Sequence, residues 1–96
     1  MATFVTLVRF TEHGLQGIKD GPSRLEQARE DYRAVGAELK EFYLTLGSYD
    51  AIAIIEAPDA ETIAKMSLRI GARGNSRSET LRAFTEGEYR EIITSL

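Results

Sequence analysis

Two short segments rich in β-branched and aromatic residues meet at a glycine, and this arrangement constrains the fold more than any other feature. The first segment ends at Leu46 and the second begins at Tyr49, with Gly47 and Ser48 between them. Glycine supplies the positive φ angle that a tight turn requires, so this pattern indicates a β-hairpin. We predict two antiparallel strands that fold onto each other at Gly47–Ser48 and form the centre of a sheet.

The predicted strands are apolar on both of their faces. In the first strand, Phe4 and Val8 alternate with Val5 and Leu7. A period of two places these pairs on opposite sides of a sheet, so the strand is expected to be covered on both sides. The predicted strands run over residues 3–10, 40–46, 49–56 and 78–84.

A helix is predicted to begin near Pro22, because proline is tolerated in the first helical turn. Ser23 and Glu26 have the spacing of a capping box, and Asp20 or Gly21 could equally be the cap. The segment from Thr11 to Gly21 carries three glycines and mixed charges, and it is predicted to be an ordered loop. Gly36 is predicted to end or fray the helix. The apolar stripe comprises Leu25, Ala28, Tyr32, Val35 and Leu39, and the side facing water comprises Arg24, Glu30, Asp31 and Arg33.

Two further helices have clear start signals. Asp59 follows Pro58 and is suited to cap a helix that carries Ile63, Met66 and Ile70 and is closed by the glycines at positions 71 and 74. A second capping box, Thr85-Glu86-Gly87-Glu88, opens a C-terminal helix. The apolar side of that helix comprises Tyr89, Ile92, Ile93 and Leu96.

The resulting order is β-α-β-β-α-β followed by a helix. This order matches an α+β, ferredoxin-like fold, in which helices cover one face of an antiparallel sheet. The 96 residues are expected to form one domain spanning residues 1–96.

Composition narrows the range of partners and compartments. The chain has no cysteine, which favours a reducing cytoplasm. Its net charge of −3 and a predicted central strand without aromatic residues argue against a nucleic-acid partner. The longest apolar run, Ala51 to Ile55, is too short for a membrane helix, so no membrane partner is expected. Transition-metal sites usually need several imidazole or thiolate ligands, and the chain has one histidine and no cysteine. No metal site and no cofactor are predicted.

Three motifs in order resemble the GYD-domain family, whose motif is usually Gly-x-Tyr-Asp. They are Gly47-Ser48-Tyr49-Asp50, Glu56-Ala57-Pro58-Asp59 and Thr80-Leu81-Arg82-Ala83-Phe84-Thr85, and the early segment Lys19-Asp20-Gly21-Pro22 fits as well. The resemblance covers nearly the whole chain. It implies an α+β domain of the dimeric α+β-barrel type.

Candidate site residues come from the hairpin and the loop after the first strand. Asp50 and Glu56 share a strand face, and with Tyr49 they could form a polar pocket in which a carboxylate acts as a base. Alternatively, Asp50 caps the turn and Tyr49 packs on a neighbouring strand. The candidate catalytic residues are His13, Tyr49 and Asp50, and the candidate ligand-binding residues are Lys19, Tyr49, Glu56 and Arg82.

The function that these features favour is a homo-oligomeric module that binds a small organic ligand between sheet and helices. The alternative is a cofactor-independent oxygenase or isomerase of the dimeric α+β-barrel class. A homodimer or higher oligomer is expected through the open face of the sheet, because both faces are too apolar to remain exposed to solvent. The competing explanation is that the C-terminal helix folds over that face.

Overall fold

The chain forms a four-stranded antiparallel sheet with helices packed on one side, in a computed structural model that describes residues Met1–Leu96. The strand order is β2-β3-β1-β4, which is the ferredoxin-like order and confirms the predicted fold. The elements are β1 (Ala2–Phe10), α1 (Glu12–Gln16), a 3₁₀ turn (Ile18–Asp20), α2 (Gly21–Ala34), β2 (Glu38–Leu44), β3 (Ala51–Ala57), α3 (Ala60–Gly71), β4 (Ser76–Ala83) and α4 (Glu86–Thr94).

The predicted hairpin pairs β2 with β3, but it does not form the centre of the sheet. β1 pairs with both β3 and β4, so the two central strands are β1 and β3, and β2 lies at an edge. The connection is also longer than a two-residue turn, since it runs from residue 45 to residue 50. Thr45 N–H donates to Asp50 O over 2.9 Å. Gly47 has φ +107°, which confirms the predicted positive φ angle.

The hydrophobic core lies between the sheet and the two long helices. Phe4 and Ile55 contribute from the central strands, and Ile63 and Met66 contribute from α3. Tyr32 of α2 is also buried, and burial raises the pKa of its phenol to about 12. This core is concentrated towards the start of β1 and the end of β3.

The opposite face of the sheet carries an apolar centre that no helix covers. We call it the open face; its apolar residues are Val5, Leu7, Ile52, Ile54 and Leu81, which neighbour one another across three strands. The helix α4 does not fold over this face, because Tyr89, Ile92 and Ile93 remain 59%, 43% and 48% exposed. The competing explanation for the apolar open face is therefore wrong.

The helix α2 is shorter than its apolar stripe predicts. It ends at Ala34, and Gly36 follows with φ +79°, a left-handed conformation that terminates helices. Leu39 therefore belongs to β2. No capping box forms at the start of α2: Asp20 is the cap residue but makes no side-chain bond, and the Ser23 hydroxyl donates to Asp20 O over 2.8 Å.

Other boundaries differ because local hydrogen bonds extend or break the predicted elements. The segment predicted as a loop contains α1, which Thr11 caps by accepting from Gly14 N–H over 3.0 Å. The strand β4 begins at Ser76, two residues earlier than predicted. A register shift between Leu39 and Glu41 lets Leu39 and Phe42 both face the helices.

The two remaining helix starts match their predictions. Asp59 caps α3 by accepting from Thr62 N–H over 2.8 Å. Thr85 and Glu88 form the reciprocal capping box of α4. None of the helices combines the length and the hydropathy needed to cross a lipid bilayer.

Candidate functional site

A cavity of about 680 Å³ lies between the helix-facing side of the sheet and the helices α2 and α3. We call this cavity the cleft. Its inner end is formed by Tyr32, Leu39 and Ala53, which are all buried. Its outer end includes Ile18 and Leu44, which are 43% and 72% exposed. The cleft therefore runs from the hydrophobic core to the surface, and its volume lies in the range of small-molecule sites.

The apolar walls of the cleft follow from side-chain periodicity. Val8 and Phe10 alternate with outward-facing residues of β1, so both point into the cleft. Leu25 and Ala28 line it from α2, three residues apart on one side of the helix. The small side chains of Ala28 and Ala53 cannot fill the space between the layers, which leaves room for a ligand.

Asn75 lies at one end of the cleft. Its side-chain Oδ1 is buried and accepts no hydrogen bond from the rest of the chain. Thr11 N–H donates to Asn75 O over 3.1 Å, and the Thr11 hydroxyl donates to Gly74 O over 2.6 Å. These bonds fix the turn that carries Asn75 against the end of β1.

Two arginines line the cleft, and only one of them is paired with a carboxylate. Arg73 forms an ion pair with Asp31 at 2.5 Å, which joins the segment after α3 to α2. The hydrogen bond from Arg73, with a second one from Gln27, lowers the pKa of the Asp31 carboxyl. Arg24 has no carboxylate partner, and its Nη1 donates to Gly14 O over 3.2 Å. No Asp or Glu side chain lines the cleft.

None of the six candidate residues named from the sequence lines the cleft. Tyr49 lies instead at a small pocket of about 120 Å³ on the open face. Its hydroxyl donates to Glu79 over 2.6 Å, and this bond raises the pKa of the phenol. The Arg9 guanidinium lies 4.6 Å from the centre of the Tyr49 ring.

The other two catalytic candidates have separate surroundings. Asp50 Oδ2 accepts from Phe10 N–H over 2.8 Å, which ties the hairpin loop to β1. His13 is exposed in α1. Asp50 and Tyr49 are neighbours in sequence, yet their side chains engage different partners. A catalytic role for these residues stays a prediction.

The remaining ligand-binding candidates are dispersed. Lys19 is exposed in the 3₁₀ turn, and Glu56 lies on the open face beside Thr3. The Arg82 guanidinium lies 4.5 Å from the centre of the Phe84 ring and 5.6 Å from that of Phe4. The structure thus brings none of these three into a shared cavity, and their role in ligand binding stays a prediction.

Arg24 and Asn75 are site residues that the sequence interpretation missed. Arg24 was expected to face water, but it lies four and eight residues before Ala28 and Tyr32, on the same side of α2. This helical spacing could have placed Arg24 on the side of α2 that faces the sheet. Asn75 carried no comparable signal, since its position depends on contacts with Thr11 and Gly14, which are distant in sequence.

No group of three or more His, Cys, Asp or Glu side chains is arranged to hold a metal ion. The polar side chains along the cleft are arginines, amides, a phenol and hydroxyl groups, and they belong to Arg24, Arg73, Gln27, Asn75, Tyr32, Thr6, Ser67, Ser76 and Ser78. This arrangement can orient an organic molecule, but it places no general base at the cleft. Arginine stays protonated at physiological pH, and Tyr32 has its raised pKa of about 12.

Comparison with known proteins identifies relatives over most of the chain. The family model of the GYD domain matches residues 4–93. A Thermus thermophilus protein described as a glutamine synthetase and cystathionine beta-lyase binding protein is 32% identical over 84 residues, which are 86% of this chain and 88% of the relative.

Two solved structures share the fold. A crystal structure of a Thermus thermophilus protein has a TM-score of 0.57 at 24% identity, with 88% of this chain and 95% of that chain covered. A feast or famine regulatory protein from M. tuberculosis, complexed with L-methionine, has a TM-score of 0.67 at 15% identity. That match covers 88% of this chain and 51% of the regulator, so this chain spans about half of its length. At these identities the structures show a common fold.

Proposed function

The chain belongs to the GYD-domain family, and from that premise we propose that it is a binding protein that holds a small organic molecule in the cleft and assembles through its open face. The observation that carries the proposal is the cleft itself, a cavity of about 680 Å³ that opens from the core to the surface. Cavities of this size with apolar walls and few polar groups are the usual form of small-molecule sites.

The chemistry of the cleft supports binding over catalysis. The alternative function, a cofactor-independent oxygenase or isomerase, would need a group that accepts a proton near neutral pH. The ionisable side chains along the cleft are Arg24, Arg73 and Tyr32, and none of them is such a group. Binding therefore has the better support.

The name of a relative gives separate support for a binding role. The name of the Thermus thermophilus relative states that it binds two enzymes. We extend a binding role, including contact with protein partners, to this chain. The exposed apolar side of α4, with Tyr89, Ile92 and Ile93, is the surface that we propose for such a partner. Because the chain has no cysteine and therefore no need of an oxidising compartment, we place this activity in the cytoplasm.

Charges around the open face support assembly of two copies. Glu38 and Glu56 face each other at one corner of the open face, where Lys40 pairs with Glu38, and Arg9 and Arg77 face each other beside Glu79 at the diagonally opposite corner, so the two corners keep net charges of opposite sign. A two-fold axis lying between two such faces, oblique to the strands, would place each acidic corner over the partner's basic corner. The apolar centre would then be buried from both sides, as in a dimeric α+β barrel.

Fluorescence of N-phenyl-1-naphthylamine tests whether the cleft binds an apolar molecule. We expect Ala28→Phe to weaken binding at least ~tenfold, because the added ring occupies the cleft and removes apolar contact area. Ala34→Phe is the matched control, since Ala34 is exposed on the same helix. Equal binding by Ala28→Phe and the wild-type protein would show that the probe sits elsewhere and would refute the cleft as the site.

A further inference from the structure

Two charged side chains of the open face have no partner within the chain. The charged residues on this face are Arg9, Glu38, Glu41, Glu56, Arg77 and Glu79. Most of them bond to groups of the same chain, which are Ser48 O for Arg9, Lys40 for Glu38, Tyr43 for Glu41 and Tyr49 for Glu79. Glu56 and Arg77 make neither a side-chain hydrogen bond nor an ion pair. They are one free carboxylate and one free guanidinium group.

Glu56 and Arg77 also face like charges on the neighbouring strands. Glu56 is in register with Glu38, and Arg77 is in register with Arg9. Like charges directly opposite each other across a sheet are destabilising. Arg9 and Arg77 line the pocket of about 120 Å³ on the open face, which has room for a carboxylate group because a water molecule takes up about 30 Å³. A carboxylate brought by another molecule would therefore stabilise this end of the open face.

Glu56 and Arg77 occupy equivalent positions about the middle of β1. Glu56 on β3 is in register with Thr3, and Arg77 on β4 is in register with Arg9. They therefore lie one strand to either side of β1, and Thr6 is midway between the two registers. With strands about 4.8 Å apart and a rise of about 3.4 Å per residue, Glu56 and Arg77 are roughly 22 Å apart. At that distance they do not interact within one chain.

We propose that the open face binds a second copy of this chain in one defined register, in which Glu56 of each copy pairs with Arg77 of the other. The two-fold axis that exchanges these positions lies between the two faces and crosses the middle of β1, between Val5 and Leu7. The apolar centres then meet each other, and the ion pair forms twice. This assignment rests on the proposed function, since it names the residues through which the proposed assembly is specified.

The apolar centre and the ion pair have different roles in this contact. Burial of the apolar centre is non-directional and does not by itself select one orientation of the second copy. Charge complementarity fixes the register of an interface more than it sets the affinity. An axis parallel to the strands would place Glu56 over Ala83 of the other copy and leave Arg77 without a carboxylate. The oblique axis therefore has the better electrostatic support.

Two charge-reversal variants and their mixture test the assignment by sedimentation equilibrium of the full chain. Glu56→Arg and Arg77→Glu each place like charges at both contacts of a dimer. We expect either variant alone to raise the dissociation constant at least ~tenfold. An equimolar mixture should associate to within ~threefold of the wild-type protein, because the two copies then contribute opposite charges at both contacts. A mixture that dissociates as readily as the separate variants would overturn the assignment.

Both variants are expected to fold. Glu56→Arg places a positive charge opposite Glu38, and Arg77→Glu places a negative charge opposite Arg9, so each change relieves a like-charge pair within the chain. Circular dichroism should therefore show melting temperatures no lower than that of the wild-type protein. A loss of association without a loss of stability separates a contact between copies from a structural role.

Two matched controls separate the ion pair from net charge. Glu30→Arg and Arg33→Glu change the charge by the same amounts on the exposed side of α2, away from the open face. They should leave the dissociation constant unchanged. Controls that weaken association as much as the open-face variants do would show a general charge effect and overturn the assignment.

The assignment and the proposed assembly fail in different ways. If the wild-type protein associates and neither open-face variant weakens it, the register is wrong while the assembly stands. If the wild-type protein sediments at 10.7 kDa, the assembly itself fails and the register fails with it. Binding of N-phenyl-1-naphthylamine in the cleft is measured separately, so the ligand-binding part of the proposed function is judged on its own.

Discussion

Individual glycines act in this chain for two different physical reasons. Gly47 is required for its backbone conformation, since its φ angle is +107° and a side chain there would meet no atom within 4 Å. Gly14 is required for space, because a side chain there would overlap the carbonyl of Asn75. The first requirement could be predicted from the local sequence. The second could not, because the contact joins residues that are far apart in the chain.

A comparison of two glycine substitutions tests the conformational role of Gly47. We expect Gly47→Ala to lower the free energy of unfolding by ~1–2 kcal/mol, since a Cβ disfavours positive φ angles. Gly71→Ala is the control, because Gly71 ends α3 without a positive φ angle and with free space around it. That change should be neutral or stabilising by up to ~1 kcal/mol. Chemical denaturation measures both, and equal effects would contradict the explanation.

At the level of secondary structure, the elements with local start and stop signals matched their predictions most closely. Asp59 and Thr85 were identified as helix caps because a cap bonds to amides two or three residues away. The prediction that Gly36 ends or frays α2 is confirmed, whereas the apolar spacing that continues to Leu39 overestimates the length of the helix. The sequence predicted a ligand site between the sheet and the helices, but not the residues that line it. Its lining depends on how far α2 and α3 stand from the sheet, which no local pattern encodes.

The cap of α3 predicts a pH-dependent contribution to stability. Asp59 Oδ1 accepts from both the N–H and the hydroxyl of Thr62, and these bonds lower the pKa of the Asp59 carboxyl below its ordinary value of 3.8. The folded state therefore favours the carboxylate. This stabilisation is complete above pH 3.8 and is lost as the pH falls through the lowered pKa.

We expect Asp59→Ala to lower the melting temperature at neutral pH, whereas Asp59→Asn, which keeps an oxygen acceptor, should lower it less. The difference between Asp59→Ala and the wild-type protein should be smaller at an acid pH below the lowered pKa of the Asp59 carboxyl than at neutral pH. Melting curves followed by circular dichroism measure both effects. A difference that is the same at the two pH values would show that the carboxylate charge has no part in the cap.

At the scale of the whole molecule, two apolar surfaces remain without a partner in the single chain. The open face lies on the side of the sheet away from the helices, and α4 exposes its apolar side as well. The sequence predicted an apolar second face, because alternation alone assigns Val5 and Leu7 to one side and Phe4 and Val8 to the other. The sequence could not show whether α4 would cover it, since that depends on the direction in which the chain leaves β4.

Sedimentation tests assembly through the open face. We expect the wild-type protein at micromolar concentration to show at least twice the chain mass of 10.7 kDa. Ile54→Lys should lower that mass to 10.7 kDa, because it places a charge in the apolar centre of the proposed contact. Leu68→Lys is the matched control, since Leu68 is 76% exposed on α3. A wild-type mass of 10.7 kDa would exclude assembly under these conditions.

The position of β1 in the middle of the sheet has a consequence for synthesis. β1 precedes every other element described here, yet it pairs with β3 and β4, and the bond between the hydroxyls of Thr6 and Thr80 joins residues 74 positions apart. On the ribosome, both edges of β1 can be paired only after β4 has emerged. Folding therefore depends on non-local contacts and is slower than in helical proteins of this length. Until then, the most apolar strands of the nascent chain are exposed to other chains.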